Sequence, residues 1–353
     1  ISTKTATNIE NSIITMDGLY NYGAFMESYG GGAGAISLKN SEIKMLKDSS
    51  YGLFSTGAGA TIKASDVAIL LTKQSSDGIQ AKAGGVVEIS DRLIVKYDGA
   101  VGTAINSIGN GSKVQGTSRM YVLGNMKASD SGVVDLTMTD GSVFIGTAQQ
   151  TDGKVTLNML SGSKWYATGN NDLDHRLEDG SFLYLGAPPV ANANYFIPTT
   201  VRNAGTFTVN GGTTWFQADV GAITGDRLVL TNEILGTQGK GGVENCGASV
   251  TDGTEQLVLI EAKQGGVGFT LSNQVEQGGY IYKLGNEFDG AVGTNWFLYG
   301  TKEATSTGSA SINSFGAGYL LGYAETQTLL QRMGDLRQSE VTGEPTGNIW
   351  ARA

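Results

Sequence analysis

The feature that most constrains this chain is a short repeat in its N-terminal half. Each unit has a serine followed by alternating apolar residues, and several units have a Gly-Ala or Gly-Gly step a few residues earlier. Five serines mark the units, 29, 24, 25 and 28 residues apart: Ser12, Ser41, Ser65, Ser90 and Ser118. One unit is too short to bury its own apolar side, so consecutive units must stack on one another.

A second form of the repeat follows, and Gly-Ser or Gly-Thr opens each of its units, at Gly141, Gly162, Gly180 and Gly205. Units of roughly 20–28 residues with short strands and no helical periodicity are typical of a parallel β-helix. We therefore predict an all-β, right-handed parallel β-helix (a single-stranded solenoid) whose rungs occupy residues 1–224. Four side chains are predicted to point to the same internal region: Ile14, Ile43, Val67 and Leu93.

Three segments depart from the repeat. Residues 166–200 contain an acidic stretch and three prolines, which indicates loops that project from the rod. Residues 301–314 are rich in Ser, Thr and Gly, which indicates a flexible linker. Helical spacing then predicts a helix near 317–338, with three apolar residues at i, i+4 and i+7: Leu329, Met333 and Leu336.

Composition and charge exclude several classes of protein. The net charge is −9, which argues against general nucleic-acid binding. Residues 39–127 carry a local positive excess, so a polyanion site and scattered solvated lysines both stay open for that segment. With Cys246 as the single cysteine, no intramolecular disulfide can form. No apolar run is long enough to predict a membrane-spanning helix, and no signal peptide is recognisable at Ile1.

Residues suited to catalysis or metal binding are few. His175 is the only histidine, it lies in the acidic stretch, and no nucleophile motif accompanies it, so we interpret it as a solvated loop residue. One histidine and one cysteine do not furnish an ordinary zinc site. The acidic stretch lacks the spacing of known calcium loops and is interpreted as a solvated charged loop. Its acids are Asp172, Asp174, Glu178 and Asp179.

A column of acids is the remaining catalytic candidate. Glu42, Asp66 and Asp91 occupy what we align as equivalent repeat positions. Polysaccharide-cleaving β-helices use paired carboxylates in a groove, although surface acids aligned by a repeat are commoner. We predict that the chain is not an enzyme and holds no cofactor and no metal.

Residues 225–300 are organised differently from the rungs before them. Short apolar or alternating runs stand between Gly-rich breaks, and aromatic residues concentrate in the last two runs. A stack of strands has open edges that invite aggregation, so we predict that this segment folds back as a cap on the lower edge. The predicted cap residues are Leu228, Leu259, Tyr280, Tyr282, Trp296 and Phe297.

The order of these runs resembles the C-terminal end of a pertactin-type autotransporter passenger, the segment called the autochaperone. The resemblance rests on Gly225-Asp226-Arg227-Leu228, the Leu257–Ile260 strand, Gly279-Tyr280-Ile281-Tyr282 and Trp296–Tyr299. Leu330–Arg337 resembles the linker that joins such passengers to their outer-membrane barrel, and 347–353 resembles the opening of the first barrel strand. The resemblance implies that residues 301–353 are linker, helix and barrel start, that the helix threads the barrel pore, and that the chain is an excised piece.

The resemblance also implies a function. It indicates a virulence-associated passenger at the bacterial cell surface or secreted, after passage through the periplasm, and most simply a non-enzymatic adhesin. The expected partners are a host cell-surface or matrix protein or glycan, another copy of the chain, and the chain's own barrel. A secreted effector that binds one host receptor or serum protein, and a polysaccharide-active enzyme, remain alternatives. Aromatic residues near the N-terminus are interpreted either as a binding surface or as core fillers: Tyr20, Tyr22, Phe25, Tyr29, Tyr51 and Phe54.

Overall fold

The computed structural model describes residues 6–30, 32–188, 197–264, 267–290 and 293–342. Its first fourteen strands, in chain order, are β1 (Thr7–Glu10), β2 (Ile13–Met16), β3 (Tyr22–Glu27), β4 (Gly34–Met45), β5 (Tyr51–Thr56), β6 (Ala60–Leu71), β7 (Asp77–Lys82), β8 (Val86–Tyr97), β9 (Thr103–Ile108), β10 (Lys113–Leu123), β11 (Asn125–Ser129), β12 (Val133–Met138), β13 (Val143–Gly146) and β14 (Ala148–Thr151).

The other elements continue the same path and end in a helix. They are β15 (Lys154–Met159), β16 (Lys164–Ala167), β17 (Asp174–Glu178), β18 (Phe182–Leu185), β19 (Thr200–Asn203), β20 (Phe207–Asp219), β21 (Thr224–Gly225), β22 (Arg227–Asn245), β23 (Gln256–Gln264), β24 (Gly268–Leu271), β25 (Val275–Gln277), β26 (Tyr280–Asp289), β27 (Gly293–Ala304) and α1 (Ser306–Thr342).

The strands form a parallel β-helix with three faces. Face one contains β1, β12, β15 and β17, with the first halves of β4, β6, β8, β10 and β20 and the middle of β22. Face two contains β2, β13, β16, β18 and β24, with the second halves of the same long strands. Face three contains β3, β5, β7, β9, β11 and β14, and later β19, the start of β22, and β23. The predicted fold class is confirmed.

The long strands bend between face one and face two at residues with positive φ. These residues are Asn11, Asn40, Asp66 and Asp91, with φ of 50°, 47°, 54° and 58°. Asn and Asp tolerate this left-handed conformation better than other non-glycine residues. Stacking also lets the bends bond to one another, since Asn40 Nδ2 donates to Asn11 Oδ1 at 2.7 Å. Bend geometry therefore explains the aspartates of the predicted acid column.

Glu42 does not belong to that column. It lies two residues beyond the bend, pairs with Ala68, and its carboxylate is 3.4 Å from the Lys44 ammonium. Asp66 contacts Arg92 of the next rung, with 2.5 Å between its Oδ1 and the arginine Nε. Asp91 in turn accepts a hydrogen bond from the Ser65 hydroxyl, so each aspartate has its own partner from a neighbouring rung.

The core consists of columns of inward side chains that continue from rung to rung. One column on face one is buried throughout and contains Leu136, Leu157, His175, Phe207 and Ile234. A fully buried leucine or phenylalanine contributes about 1.5–3 kcal/mol relative to an exposed one. Because each rung covers the next, this contribution recurs along the rod.

The four side chains predicted to point inward do so, but the repeat alignment based on the serines is two residues off between β4 and β6. Ile43 pairs with Ile14 and Ile69, whereas Val67 pairs with Ser41 and Leu93. The sequence comparison had matched the serines, but the backbone places Ser41 opposite Val67. A shift of two residues keeps the same side chains inward because strand side chains alternate with period two. Ile43, Val67 and Leu93 are accordingly buried, and Ile14 is half-buried.

The prediction that residues 166–200 are projecting loops was wrong for much of that segment. Strands β17 and β18 lie within it and pair in parallel with the rungs on both sides. Inward and outward side chains alternate along β17, with His175 and Leu177 buried. The charged residues Asp174, Arg176 and Glu178 lie on the outer side of the strand, so its sequence resembles that of a polar loop. Residues 189–196 lie outside the described residues.

Parallel pairing continues beyond residue 225. Strand β22 pairs in parallel with β19 and β20 and then with β23 and β24. Antiparallel pairing dominates only at the end, where β27 lies between β23 and β26, and β25 pairs with β26. The division of the chain at residues 225 and 301 into rungs, cap and linker stays a prediction about folding units.

The C-terminal helix is longer than predicted. It begins at Ser306 and has 37 residues, so no flexible linker occupies 301–314. Thr305 caps it, because its side chain accepts from the Gly308 N–H at 2.9 Å and its carbonyl accepts from the Ser309 N–H at 2.8 Å. Because the first turns of the helix are rich in Ser and Gly, the sequence did not indicate this cap. No helix in the described part of the chain is long and apolar enough to cross a membrane.

Candidate functional site

The six predicted cap residues fall into two sets according to their burial. Four are buried at 0–2% exposure, namely Leu228, Leu259, Tyr282 and Trp296. Tyr280 and Phe297 are only partly buried. Trp296 crosses Phe269 of β24 edge to face, with 5.2 Å between ring centroids. It therefore joins the antiparallel strands to β24, which is stacked in parallel on β22. The side chains of Leu329, Met333 and Leu336 lie outside the described residues.

A buried carboxylate connects the cap strands. Glu255, just before β23, accepts hydrogen bonds from the backbone N–H groups of Asp252 and Gly253 at 2.8 and 3.1 Å. It also accepts the phenol proton of Tyr282 in β26 at 2.6 Å. Burial and the Glu255 carboxylate raise the pKa of Tyr282 to about 12, so the phenol stays a donor.

Glu255→Gln is expected to lower the free energy of unfolding by about 2 kcal/mol. The NH₂ group of the new amide would face an N–H or O–H group that now donates a hydrogen bond to the carboxylate, so two donors would meet without an acceptor. Chemical denaturation checks this value. Glu233→Gln, an exposed change in β22, is the matched control and should be neutral. Equal midpoints for the two variants would contradict the role of Glu255.

His175 is a core residue and not the solvated loop residue predicted. Its ring lies between Trp165 and Phe207, at centroid distances of 5.0 and 5.2 Å. Its Nε2 is 3.1 Å from the sulfur of Met159. Burial lowers the pKa of the imidazole to about 3, so the ring is neutral near pH 7. His175 therefore fills a core position that Leu157 fills in the preceding rung. Its apolar surroundings do not suit a general base.

The acids around His175 have separate partners. Asp174 pairs with Lys154 at 3.4 Å, Asp179 pairs with Lys240 at 2.8 Å, and Glu178 contacts Arg176. Asp172 accepts from Gln150 Nε2 at 3.0 Å. Among the residues described, no group of three or more His, Cys, Asp or Glu is arranged to hold a metal.

The aromatic residues near the N-terminus are not core fillers. Tyr22, Phe25, Tyr51 and Phe54 stack on the outside of face three, with centroids 4.7–5.5 Å apart. Tyr20 and Tyr29 are largely exposed. The inward positions of these strands are filled by smaller or aliphatic residues: Ala24, Met26 and Leu53.

A second outward stack, on face two, borders a cleft. Tyr166, Tyr184 and Trp215 occupy one column of β16, β18 and β20. The tyrosine rings are 4.7 Å apart and 13° from parallel, and Tyr184 and Trp215 are 6.4 Å apart and 7° from parallel. Gly242 is next in the column, and a Cβ there would lie 2.6 Å from the indole. The indole therefore packs over the backbone of Gly242.

Part of the indole face is left uncovered by Tyr184. Neighbouring rungs are about 4.8 Å apart, so a centroid distance of 6.4 Å between nearly parallel rings requires a lateral offset of about 4 Å. A cavity of about 100 Å³ lies beside this step. Its lining residues are Tyr166, Tyr184, Leu185, Ala187, Trp215, Phe216, Gln217, Asp226 and Glu244.

Two carboxylates line the cleft in different environments. Asp226 is 2% exposed and accepts backbone N–H groups of Thr199 and Gln217, each at 2.8 Å. Burial raises the pKa of Asp226 to about 6, against the opposing effect of these hydrogen bonds. Glu244 is exposed and accepts from Gln217 Nε2 at 3.2 Å. Burial, with Tyr166 and Glu244, raises the pKa of Tyr184.

Sequence reasoning did not select the residues of this cleft. Each ring of the stack follows a positive-φ glycine by four residues: Tyr166 after Gly162, Tyr184 after Gly180 and Trp215 after Gly211. This regular spacing from the Gly-Ser and Gly-Gly turns was the available signal.

Comparison with known proteins identifies the class. A family model described as Pertactin matches residues 174–300. The chain is 25% identical over 395 residues to "Probable autotransporter YcgV" of Escherichia coli (strain K12). The aligned region covers 98% of this chain and 39% of that protein. The chain thus spans about two fifths of this relative's length. The crystal structure of the Haemophilus influenzae Hap adhesin is 16% identical with a TM-score of 0.44, over 83% of this chain and 33% of that chain.

Residues 174–300 thus match the pertactin family, and the chain is similar along nearly its whole length to an autotransporter. These two similarities indicate a location at the bacterial outer-membrane surface or secretion from it.

Proposed function

We propose that this passenger segment is a non-enzymatic adhesin that binds a host-cell or matrix molecule, with the cleft on face two as a contact site. The observation that carries the proposal is the outward stack of Tyr166, Tyr184 and Trp215 beside a cavity. Aromatic residues are enriched in protein binding surfaces because they offer large, rigid contact areas. The proposal is further supported by the pertactin-type segment, whose relatives are typically non-enzymatic.

The carboxylates of the cleft favour binding over catalysis. A general acid must present its proton to a bound substrate. Both oxygens of Asp226 already accept backbone N–H groups, and that residue is 2% exposed. Glu244 is exposed, but Asp226, the other acid that lines the cleft, is too buried to act on the same bond. A polysaccharide-active enzyme would require two carboxyl groups that reach the same bond.

Removing the stack is expected to reduce binding of the protein to its target surface by about tenfold or more, as the loss of central aromatic contacts does in other interfaces. The double variant Tyr166→Ser, Tyr184→Ser tests this on bacteria that display the whole passenger, against matrix proteins, glycans and host cells. Tyr121→Ser is the matched control, since Tyr121 also faces outward on face two, two rungs from Tyr166.

Four outcomes distinguish the alternatives. Multivalent surface binding that the double variant loses supports the adhesin, whereas one saturable partner in solution supports a secreted effector. Aggregation of wild-type bacteria without binding to any surface supports self-association. Release of sugar from a polysaccharide, abolished by Glu244→Gln, would overturn the non-enzymatic proposal.

A further inference from the structure

The cleft carries negative charge without a positive partner. Asp226 and Glu244 both line it, and among its described lining residues there is no Lys, Arg or His. Burial of a carboxylate without an opposite charge is unfavourable, even where hydrogen bonds compensate in part. The raised pKa of Asp226 reflects this cost. A ligand that is complementary to the cleft in charge is therefore a cation.

The aromatic wall of the cleft supports the same conclusion. The offset between Tyr184 and Trp215 uncovers part of the indole face beside the cavity. A cation over an indole face is attracted by the ring quadrupole, by about 2 kcal/mol when it is desolvated. The phenol of Tyr184 stays protonated because its pKa is raised, so it adds no negative charge of its own.

The hydrogen-bonding capacity of the cleft selects among cations. A lysine ammonium needs acceptors for three N–H donors, and an arginine guanidinium needs them for five. Each oxygen of Asp226 already accepts one backbone N–H, so this buried carboxylate has less accepting capacity left for a ligand than the exposed Glu244. A quaternary ammonium has no N–H donor and requires none. Drug-sized ligands occupy cavities of about 300–1,000 Å³, so a cavity of about 100 Å³ suits a single small head group.

We propose that this cleft binds a quaternary ammonium group of the choline type, held over Trp215 and beside Asp226 and Glu244. The inference rests on the proposed function in treating the cleft as the contact site, and it names the chemistry of the ligand. Choline head groups of a lipid surface and soluble choline present the same group, so the experiment compares both.

Calorimetric titration of the purified chain with choline and tetramethylammonium is the direct test. Both are expected to bind, and ethylammonium is expected to bind at least about tenfold more weakly, since its N–H donors stay unsatisfied. Glu244→Gln and Trp215→Leu should each weaken choline binding about tenfold or more, whereas Glu233→Gln on the same strand as Glu244 should leave it unchanged. Circular dichroism verifies that each variant is folded.

Two further arms make the test specific. Choline binding should strengthen as pH rises from 5 to 7, because Asp226, with a pKa of about 6, gains its charge in that range. Flotation with phosphatidylcholine vesicles, against phosphatidylglycerol vesicles as control, shows whether the head group is recognised on a lipid surface or only in solution. Equal binding of ethylammonium and choline, no binding of either, or choline binding unaffected by both cleft variants would overturn the proposal.

The adhesion and choline experiments can fail separately. Choline binding without adhesion to any surface supports the site and contradicts the adhesin. Adhesion that depends on Tyr166 and Tyr184 in a protein that does not bind choline supports the adhesin and contradicts the ligand.

Discussion

Trp296→Ala is expected to lower the free energy of unfolding by about 3–5 kcal/mol, the usual cost of truncating a fully buried tryptophan or phenylalanine. The indole is 2% exposed and packs edge to face on Phe269, 5.2 Å away. It lies in β27, opposite Ile260 of β23 and Asn286 of β26, so its loss affects both antiparallel pairings. Denaturant titration followed by tryptophan fluorescence and circular dichroism measures the change.

Phe297→Ala is the matched control for this prediction. Phe297 is the next residue on the same strand, also aromatic, but it faces the other side and is only partly buried. Its truncation should cost about 1 kcal/mol, in proportion to the smaller apolar area removed from the interior. Equal costs for the two variants would show that the cap does not depend on the contact between Trp296 and the last rung.

Acidification from pH 7 to pH 4 is expected to lower the free energy of unfolding of the wild type by about 3 kcal/mol more than that of the His175→Leu variant, because folding and proton binding are linked. Burial lowers the pKa of His175 in the folded chain from its usual value of 6.5 to about 3. The unfolded chain therefore binds a proton below pH 6.5 that the folded chain excludes. The stability that His175 contributes is complete above pH 6.5 and is lost as pH falls from 6.5 toward 3.

Leucine is the appropriate replacement because Leu157 occupies the preceding position of the same column. Stability is measured by denaturation at several pH values, and the difference between wild type and variant cancels the contributions of the shared carboxylates. A difference that stays constant from pH 7 to pH 4 would contradict the burial of a neutral imidazole.

The repeat made the fold predictable because stacked rungs impose the same requirement many times. Inward Ile, Val and Leu at period two and glycine at turns suffice to predict a solenoid without fixing the register. The error between Ile43 and Val67 shows the limit, since a slip of two residues preserves the pattern of burial. Only the positions of the bends at Asn40 and Asp66 determine the register there.

Two elements could not be derived from their own sequence. Strand β17 contains Asp174, Arg176 and Glu178 on its outer side, and its inward histidine is not recognisably apolar. Neighbouring rungs make it a strand, because they supply hydrogen bonds on both sides. Helix α1 begins in a Ser- and Gly-rich segment whose local propensity favours a linker, and Thr305 overrides that propensity as its cap.

The cleft escaped prediction for a different reason. Its residues come from different turns of the solenoid, for example Tyr184 in β18 and Glu244 in β22, and spacing along the chain does not reveal that they meet. The predicted cap residues were easier to select because Tyr282, Trp296 and their neighbours lie within one short segment. We also predict that this segment is the nucleus on which the other rungs fold.

That role is the central claim, and hydrogen exchange along the whole chain tests it most directly. In a stack held by contacts between neighbours, a stable end can template the rungs beside it. Amides of residues 225–300 should therefore exchange last in the wild type, and Trp296→Ala should lose protection in the cap and in rungs far from it. If the rungs of β4 to β10 exchange more slowly than the cap, or keep full protection in the variant, the cap is not the nucleus.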